Sequence, residues 1–310
     1  MTEPGADAVT LAEARARARA AKDFAAADAL RDELAATGWT VVDEPDGAWR
    51  LDPAPAEVAP ARLDPHVVPS LLEAPATDDV SVHWVAEGWP GDIARAIASL
   101  RAHQGSRRVR FVVADVTGDE PGAFGDDVDV LALAEGTGWA AAANAALRRA
   151  TGRVVIVMDG SIEAAGDVFG PLEQALTEPA VGIAGPFGIV TRDLREFDEA
   201  PDAGPCDAIE GYCMAMRRDV VAAVGGFDEK FRWYRTADIE LSFRVKDRGL
   251  RTEVVPVPVI KHEHRMWFET EPAERAKWSK RNFYRFLDRW RGRWDLVLDP
   301  EPPEGRPPAP

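Results

Sequence analysis

The chain has 310 residues, 46% hydrophobic and 29% charged, enough apolar side chain to bury a sizeable core, which excludes disorder along its whole length. Its 37 Lys and Arg face 53 Asp and Glu, a net charge of -16, so a phosphate backbone is repelled on average and nucleic acid is disfavoured as a partner. Cys206 and Cys213 make neither a disulfide framework nor a zinc motif. With no leader pattern at the start and no apolar stretch long enough for a transmembrane segment, the chain reads as soluble and cytoplasmic.

Residues 10–36 are dominated by strong helix formers, and Asp23 can cap a second helix, which predicts a helical hairpin. Trp39–Val42 and Ala48–Leu51 flank Pro45-Asp46-Gly47, turn chemistry between two short strands. Residues 1–51 therefore read as a small helical-hairpin and β-hairpin module. Six prolines between residues 52 and 79 predict a linker. From Val80 the rhythm changes to apolar strands alternating with helices: strands at 80–86, 108–116, 128–134 and 153–159, with helices at 93–103 and 138–150 between them. Further on, helices are expected near 168–176 and 217–223, and strands at 181–184 and 251–259. That alternation predicts an α/β domain over 80–297 with an open, mostly parallel sheet flanked by helices, whose ligands sit at the carboxyl ends of the strands. Residues 298–310 read as a disordered Pro-rich tail.

Gly136-Thr-Gly138-Trp-Ala-Ala141 follows a strand and opens a helix, and Asp159 ends the next strand, which fits a dinucleotide fingerprint and an NAD-binding oxidoreductase. Against this, two strands precede the motif, and no constellation for hydride transfer follows it.

Three segments carry a more specific pattern. The first runs Gly138-Trp-Ala-Ala-Ala-Ala-Asn144 through Val-Val-Ile-Val-Met-Asp159. The second is Glu210-Gly-Tyr-Cys-Met-Ala-Met-Arg-Arg-Asp219 followed by Val224-Gly-Gly-Phe-Asp-Glu-Lys-Phe231, and the third is Tyr234-Arg-Thr-Ala-Asp-Ile-Glu-Leu-Ser-Phe-Arg244 leading to Lys261-His-Glu-His264. Together they resemble the family 2 glycosyltransferases with a GT-A fold, over residues 80–265 and extending to Leu296. The resemblance implies transfer of a sugar from a nucleoside diphosphate-sugar to a hydroxyl acceptor with inversion, assisted by a divalent metal, Mn2+ or Mg2+.

The same resemblance implies roles residue by residue. Asp238 matches the general base that takes the acceptor hydroxyl's proton. Asp115 matches a carboxylate that holds the base or ribose. Asp159 matches the first Asp of the metal motif, and His262, ahead of His264, matches a metal or phosphate partner. Asn144, Ser161, Glu210, Gly211 and Glu240 complete the substrate-binding set, Gly211 by allowing close backbone approach to the sugar and Glu240 by orienting the acceptor. Two positions depart from the pattern. Ser161 stands where a second metal Asp is expected, with Glu163 as a substitute carboxylate, and Ala237 stands where the family has Glu before the base. These departures leave a second reading open, a catalytically silent protein that binds a sugar nucleotide and docks a partner.

The amino-terminal pattern Arg17-x-x-Ala-Ala-Lys22-Asp-Phe through Arg31-Asp-Glu-Leu34, with Asp43-Glu-Pro-Asp-Gly47-Ala-Trp49, resembles the extreme carboxyl-terminal segment of cysteinyl-tRNA synthetases. It includes none of that enzyme's catalytic core. Finally, residues 274–295 place Trp278, Phe283, Phe286, Leu287, Trp290 and Trp294 near helical spacing among Arg and Lys. Such a helix can make peripheral membrane contact, face a phosphate-bearing acceptor, or pack its stripe on its own domain.

Overall fold

The computed structural model describes residues 4–43, 48–53, 62–117 and 124–301. The chain divides into two units, Met1–Ala61 and Arg62–Pro310. In the smaller one, α1 (Ala6–Ala20) and α2 (Phe24–Ala36) precede a hairpin of β1 (Trp39–Asp43) and β2 (Trp49–Pro53). Asp23 caps α2 by accepting from the Ala26 amide at 3.1 Å, satisfying one of the free donors at a helix start. Ala8, Ala12, Leu34 and Val41 form its core. The Arg15 guanidinium makes two 3.0 Å bonds to Asp43 and holds that carboxyl below its usual range. The expected turn Pro45-Asp46-Gly47 lies outside the described residues.

The larger unit runs β3 (Asp78–Ala86), α3 (Pro90–His103), β4 (Val109–Asp115), β5 (Val128–Ala132), α4 (Trp139–Arg148), β6 (Gly152–Met158), β7 (Ile162–Ala164), α5 (Phe169–Ala175) and β8 (Val181–Gly185). Then come β9 (Gly188–Thr191), β10 (Phe197–Glu199), β11 (Gly204–Cys206), β12 (Ala208–Ile209), β13 (Cys213–Arg217), α6 (Arg218–Val224) and α7 (Ala237–Lys246). The last elements are β14 (Arg251–Val254), β15 (Val259–Lys261), α8 (Arg265–Glu269) and α9 (Pro272–Trp290).

Among the described residues the main sheet has eight strands in the order β11-β14-β8-β13-β6-β3-β4-β5. It is mostly parallel, as the strand and helix rhythm predicts, but β13 lies antiparallel between β6 and β8, and β11 antiparallel at the edge. Side chains alternate across the sheet. Val154, Ile156 and Met158 join α3 and α5 on one face, while Val155 and Val157 join α4, α6 and α7 on the other. Gly152 opens β6 where only hydrogen fits, because a Cβ there would stand 2.2 Å from the Ser81 amide nitrogen.

Three expectations change. Residues 62–77, read as linker, pack on the larger unit. Leu63 bridges to Leu133, Val68 is buried, and the carbonyls of Leu71 and Ala74 accept from Arg218, so prolines here shape a fitted strap with its polar groups satisfied. The strand expected over 251–259 stops at Val254, since Pro256 and Pro258 cannot continue a ladder. Of the expected tail, residues 298–301 are tied down, Leu298 donating to Asp207 at 2.9 Å and Asp299 meeting Arg192 at 3.1 Å; residues 302–310 lie outside the described residues. The 274–295 stripe is spent on the domain itself: Phe286, Leu287 and Trp290 of α9 pack with Leu194, Phe243 and Leu296. Among the described residues no helix is long and apolar enough to cross a membrane.

Candidate active site

β3, β4 and β6 are parallel, so Glu87, Asp115 and Asp159 stand at or just past the same carboxyl edge of the sheet. Beside that edge lies a cavity of about 700 Å³, lined among others by Asp159, Glu210, Asp238 and His264, with α9 contributing Lys280, Phe283 and Tyr284. A smaller pocket next to it shares Asp159 and His264 and adds Glu87 and Ser161.

Asp238 is the second residue of α7. Its Oδ2 accepts from the Gly211 amide at 2.8 Å and its Oδ1 from the Ile239 amide at 2.9 Å. Thr236 ahead of it is held at a φ of 72°, the left-handed region, which costs a non-glycine residue about 1 kcal/mol and turns the chain so that α7 starts at the cavity wall. Burial raises the Asp238 carboxyl above its usual range, against the pull of the two amides and of Arg235. Glu210 is also pushed up, by burial first and then by Asp238. Gly211 lines the cavity, and its amide is committed to Asp238.

Asp115 at the end of β4 accepts from the Thr117 amide and hydroxyl through Oδ1, while Oδ2 is buried with no partner among the described residues. Asp115 is 2% exposed and lines neither cavity, so the sequence-expected contact with a base or ribose has no opening to it among the described residues.

Three expected substrate contacts make their bonds within the protein, Ser161 while also lining the smaller pocket. Asn144 lies outside the cavity wall: its amide donates to the Phe227 carbonyl at 2.9 Å and its Oδ1 accepts from the Phe227 amide at 2.7 Å, clamping the Gly-Gly-Phe-Asp loop. Gly226 is obligatory there, since a Cβ would stand 2.3 Å from Asn144 Oδ1 and φ is 75°. Glu240, 1% exposed, accepts from Arg244 at 2.8 Å and from Arg289 at 3.0 Å and so ties α7 to α9. Ser161 turns its amide and hydroxyl onto Asp159 Oδ1.

The histidine pair resolves differently from the expectation. His262 Nε2 meets Glu163 at 2.7 Å, and neither lines the cavity. His264 takes the place expected of His262, its Nε2 lying 3.0 Å from Asp159 Oδ2. The antiparallel pairing of β15 with β7 explains the swap, because it sets Lys261 opposite Ile162 and carries the next residue out along Glu163's side. Burial would raise the Asp159 carboxyl, but the bonds from His264 and Ser161 outweigh it and hold the group below its usual range.

As arranged, these residues do not build a divalent-cation site. His264 Nδ1 accepts from the Trp267 amide at 3.2 Å, which places the proton on Nε2 and makes that nitrogen a donor to Asp159 rather than a metal ligand. Ser161 replaces the second carboxylate, and among the described residues no group of three His, Cys, Asp or Glu is placed to hold a metal. His264→Ala is expected to remove the bond that holds the Asp159 carboxyl low, so that this carboxyl titrates higher, while His262→Ala leaves it unchanged; NMR pH titration of the two variants checks this.

Glu87 went unread in the sequence, although it closes its strand just as Asp115 and Asp159 close theirs. Burial and the nearby Asp159 charge push its carboxyl up to about 8. A carboxyl raised in the folded state binds its proton more tightly there than in the unfolded chain, so its stabilising share is present below pH 4.5 and lost as pH rises toward 8. Glu87→Gln is therefore expected to raise the melting temperature at pH 8.5 and to change it little at pH 4.5, read by thermal scans at both values.

The dinucleotide fingerprint has another explanation. The first amides of α4 are taken, Trp139 donating to the Arg232 carbonyl at 2.9 Å and Ala140 to Phe231 at 3.3 Å, and a Cβ on Gly138 would stand 3.1 Å from Arg232. Those small residues admit the 231–232 loop onto the helix start, which takes the first two amides that a pyrophosphate would use.

With that geometry in hand, comparison with known proteins adds the following. Residues 92–239 match the family model described as Glycosyl transferase family 2. The stretch is identified as glycosyl transferase family 2. Residues 3–50 match the Cysteinyl-tRNA ligase anticodon binding domain. The N-acetylglucosaminyl-diphospho-decaprenol L-rhamnosyltransferase of Mycobacterium tuberculosis (strain CDC 1551 / Oshkosh) is 27% identical over 150 residues, 48% of each chain. The cysteine–tRNA ligase of Opitutus terrae (strain DSM 11246 / JCM 15787 / PB90-1) is 54% identical over 52 residues, 17% of this chain and 11% of the ligase. The chain thus spans about half the length of the first relative and about a tenth of the second. Among solved structures, GalNAc-T7 with UDP, GalNAc and Mn2+ superposes with a TM-score of 0.57 at 14% identity, covering 70% of this chain and 50% of that one. At that identity the likeness shows the fold, a GT-A glycosyltransferase fold.

Proposed function

We propose that the larger unit transfers a sugar from a nucleoside diphosphate-sugar to a hydroxyl acceptor, with inversion at the anomeric carbon. The observation that carries this is Asp238, a carboxylate fixed by two backbone amides at the edge of a cavity that also holds Asp159. In this reading the acceptor enters beside α9. Asp238 removes the hydroxyl proton as the acceptor oxygen bonds to the anomeric carbon, the bond to the diphosphate oxygen breaks, and the diphosphate leaves with that electron pair. A carboxylate raised by burial is a stronger base than a solvated one, which suits the task. Mn2+ or Mg2+ is not assigned a step, because the Asp159–His264 bond would have to open to admit it.

The test is a thermal-shift titration against UDP-, GDP-, dTDP- and ADP-sugars and NAD, each with Mn2+ and with chelator, since a ligand that binds only the native state raises its melting temperature. A shift with one sugar nucleotide, followed by release of its nucleoside diphosphate when acceptor is supplied, is the expected result. Silence toward every sugar nucleotide would overturn the reading. A shift without turnover under any acceptor would favour the silent binder, toward which Ser161 in the second metal position points.

A further inference from the structure

Resting on that transfer reading, we propose that Arg235 is a positioning residue for the base: seated on Trp267, it holds a positive charge toward Asp238 without bonding to it, which keeps that carboxylate ionised and its oxygens open to the acceptor hydroxyl. Arg235 is fixed at two points. Asn282 of α9, fully buried, donates its side-chain amide to the carbonyls of Trp233 at 2.9 Å and Arg235 at 2.8 Å, which clamps the backbone just ahead of α7. The guanidinium then lies 4.7 Å from the centre of the Trp267 ring, a cation on an aromatic face. Trp267 is itself held: its carbonyl accepts from Arg275 Nη1 at 2.7 Å, the Arg275 guanidinium lies 4.8 Å from the same ring, and Trp233 stacks on it at 6.1 Å between centres. Two guanidinium groups on one ring repel, so the arrangement calls for negative charge nearby. Arg235 bonds to no carboxylate among the described residues, and the acids that share its cavity are Asp159, Glu210 and Asp238.

A base has to be ionised as well as strong. Each Asp238 oxygen already takes one amide, so a direct ion pair would compete for the sites that remain to accept a proton, whereas a charge at a distance acts on ionisation alone. The other ionisable groups on the cavity come from each of its walls. Glu210 and Tyr212 precede β13, Tyr234 adjoins Arg235, Asp159 with its partner His264 lies past β6, Lys280 stands on α9 and Arg195 before β10. Burial keeps the two phenols neutral, pushing Tyr212 up to about 12 and Tyr234 higher still. Against burial, which raises both carboxyls, the Arg235 charge draws Asp238 and Glu210 down, joined at Glu210 by Lys261. Trp267 thereby serves both acidic centres: its amide donates to His264 Nδ1 at 3.2 Å and so turns Nε2 toward Asp159, while its ring seats Arg235. Trp267→Leu removes the seat and keeps the amide.

The test is a carbon-13 carboxyl NMR pH titration of the full chain without donor, the Asp238 signal being the one that Asp238→Asn removes. In Arg235→Gln, Asp238 is expected to ionise at higher pH than in the wild type. Trp267→Leu should move it the same way by less, and Arg235→Lys, which keeps the charge, should hold it near the wild-type position. With the donor and acceptor in hand, the rising limb of rate against pH should move to higher pH in Arg235→Gln, a loss of about threefold in rate on that limb, the effect of one unit charge several ångströms away even across water. An Asp238 titration that stays put in Arg235→Gln, or that moves as far in Arg235→Lys, overturns the inference, and both variants change an exposed side chain, so the outcome does not hang on Trp267→Leu folding. The two readings fail separately. An unmoved titration beside a limb that Asp238→Asn abolishes sinks only this inference, whereas a moved titration without turnover under any acceptor sinks only the transfer reading.

Discussion

Asp238→Asn lowers turnover by about 10³-fold while the thermal shift produced by the donor sugar nucleotide persists, because a positioned general base contributes roughly 10² to 10⁴ in rate and little to ground-state binding. Asn keeps the size of the side chain and can still accept from the Gly211 amide that now meets Oδ2 at 2.8 Å. What it lacks is the ability to take a proton and the second acceptor oxygen that now meets the Ile239 amide. The wild-type rate is expected to climb with pH through the raised Asp238 pKa and level above it, since only the ionised carboxylate accepts the hydroxyl proton. In the variant that limb disappears. Steady-state kinetics with the identified donor across pH, beside binding measurements on the same protein, read both effects. Unchanged turnover would remove Asp238 from the chemistry.

Glu240→Ala has the second large effect, and it falls on stability. Glu240 is 1% exposed and receives Arg244 at 2.8 Å and Arg289 at 3.0 Å, while Arg244 also reaches the carbonyls of Val224 and Gly226. Deleting the acid leaves Arg244 largely buried without its counter-charge, and breaking one side of a buried pair costs about 3 kcal/mol. Urea unfolding should show the midpoint falling with the slope unchanged. Turnover per folded molecule should hold, because the Glu240 side chain faces Arg244 and Arg289 rather than the cavity. A variant of wild-type stability with poor acceptor affinity would restore the acceptor-orienting role that its position in the motif implies.

Much of the architecture could be read from local pattern. The alternation of apolar strands and helices from Val80 onward specifies the parallel half of the sheet, because strands joined through helices, as β3 to β4 through α3 and β5 to β6 through α4, run in the same direction. The antiparallel strand β13 escaped notice: Cys213-Met-Ala-Met reads as an apolar run of no fixed direction, and only its pairing with Val157 and Ala184 shows where it goes. Site residues divided along the same line. Asp115, Asp159 and Asp238 could be placed at one sheet edge from the sequence because strand ends and helix starts are local features, whereas the contacts of Asn144 and Glu240 depend on distant segments.

By itself, then, the order of residues determined the fold class, the helical module before it, and which carboxylates could meet at one edge, since periodicity, caps and strand ends are local properties. Tertiary structure decided the partners. Pairing register chose His264 over His262 for Asp159, packing turned Asn144 and Glu240 into clamps, and the approach of α9 brought Lys280, Phe283 and Tyr284 to the cavity that holds Asp238. Each depends on which distant segment a side chain meets, and no spacing along a single chain encodes that distance.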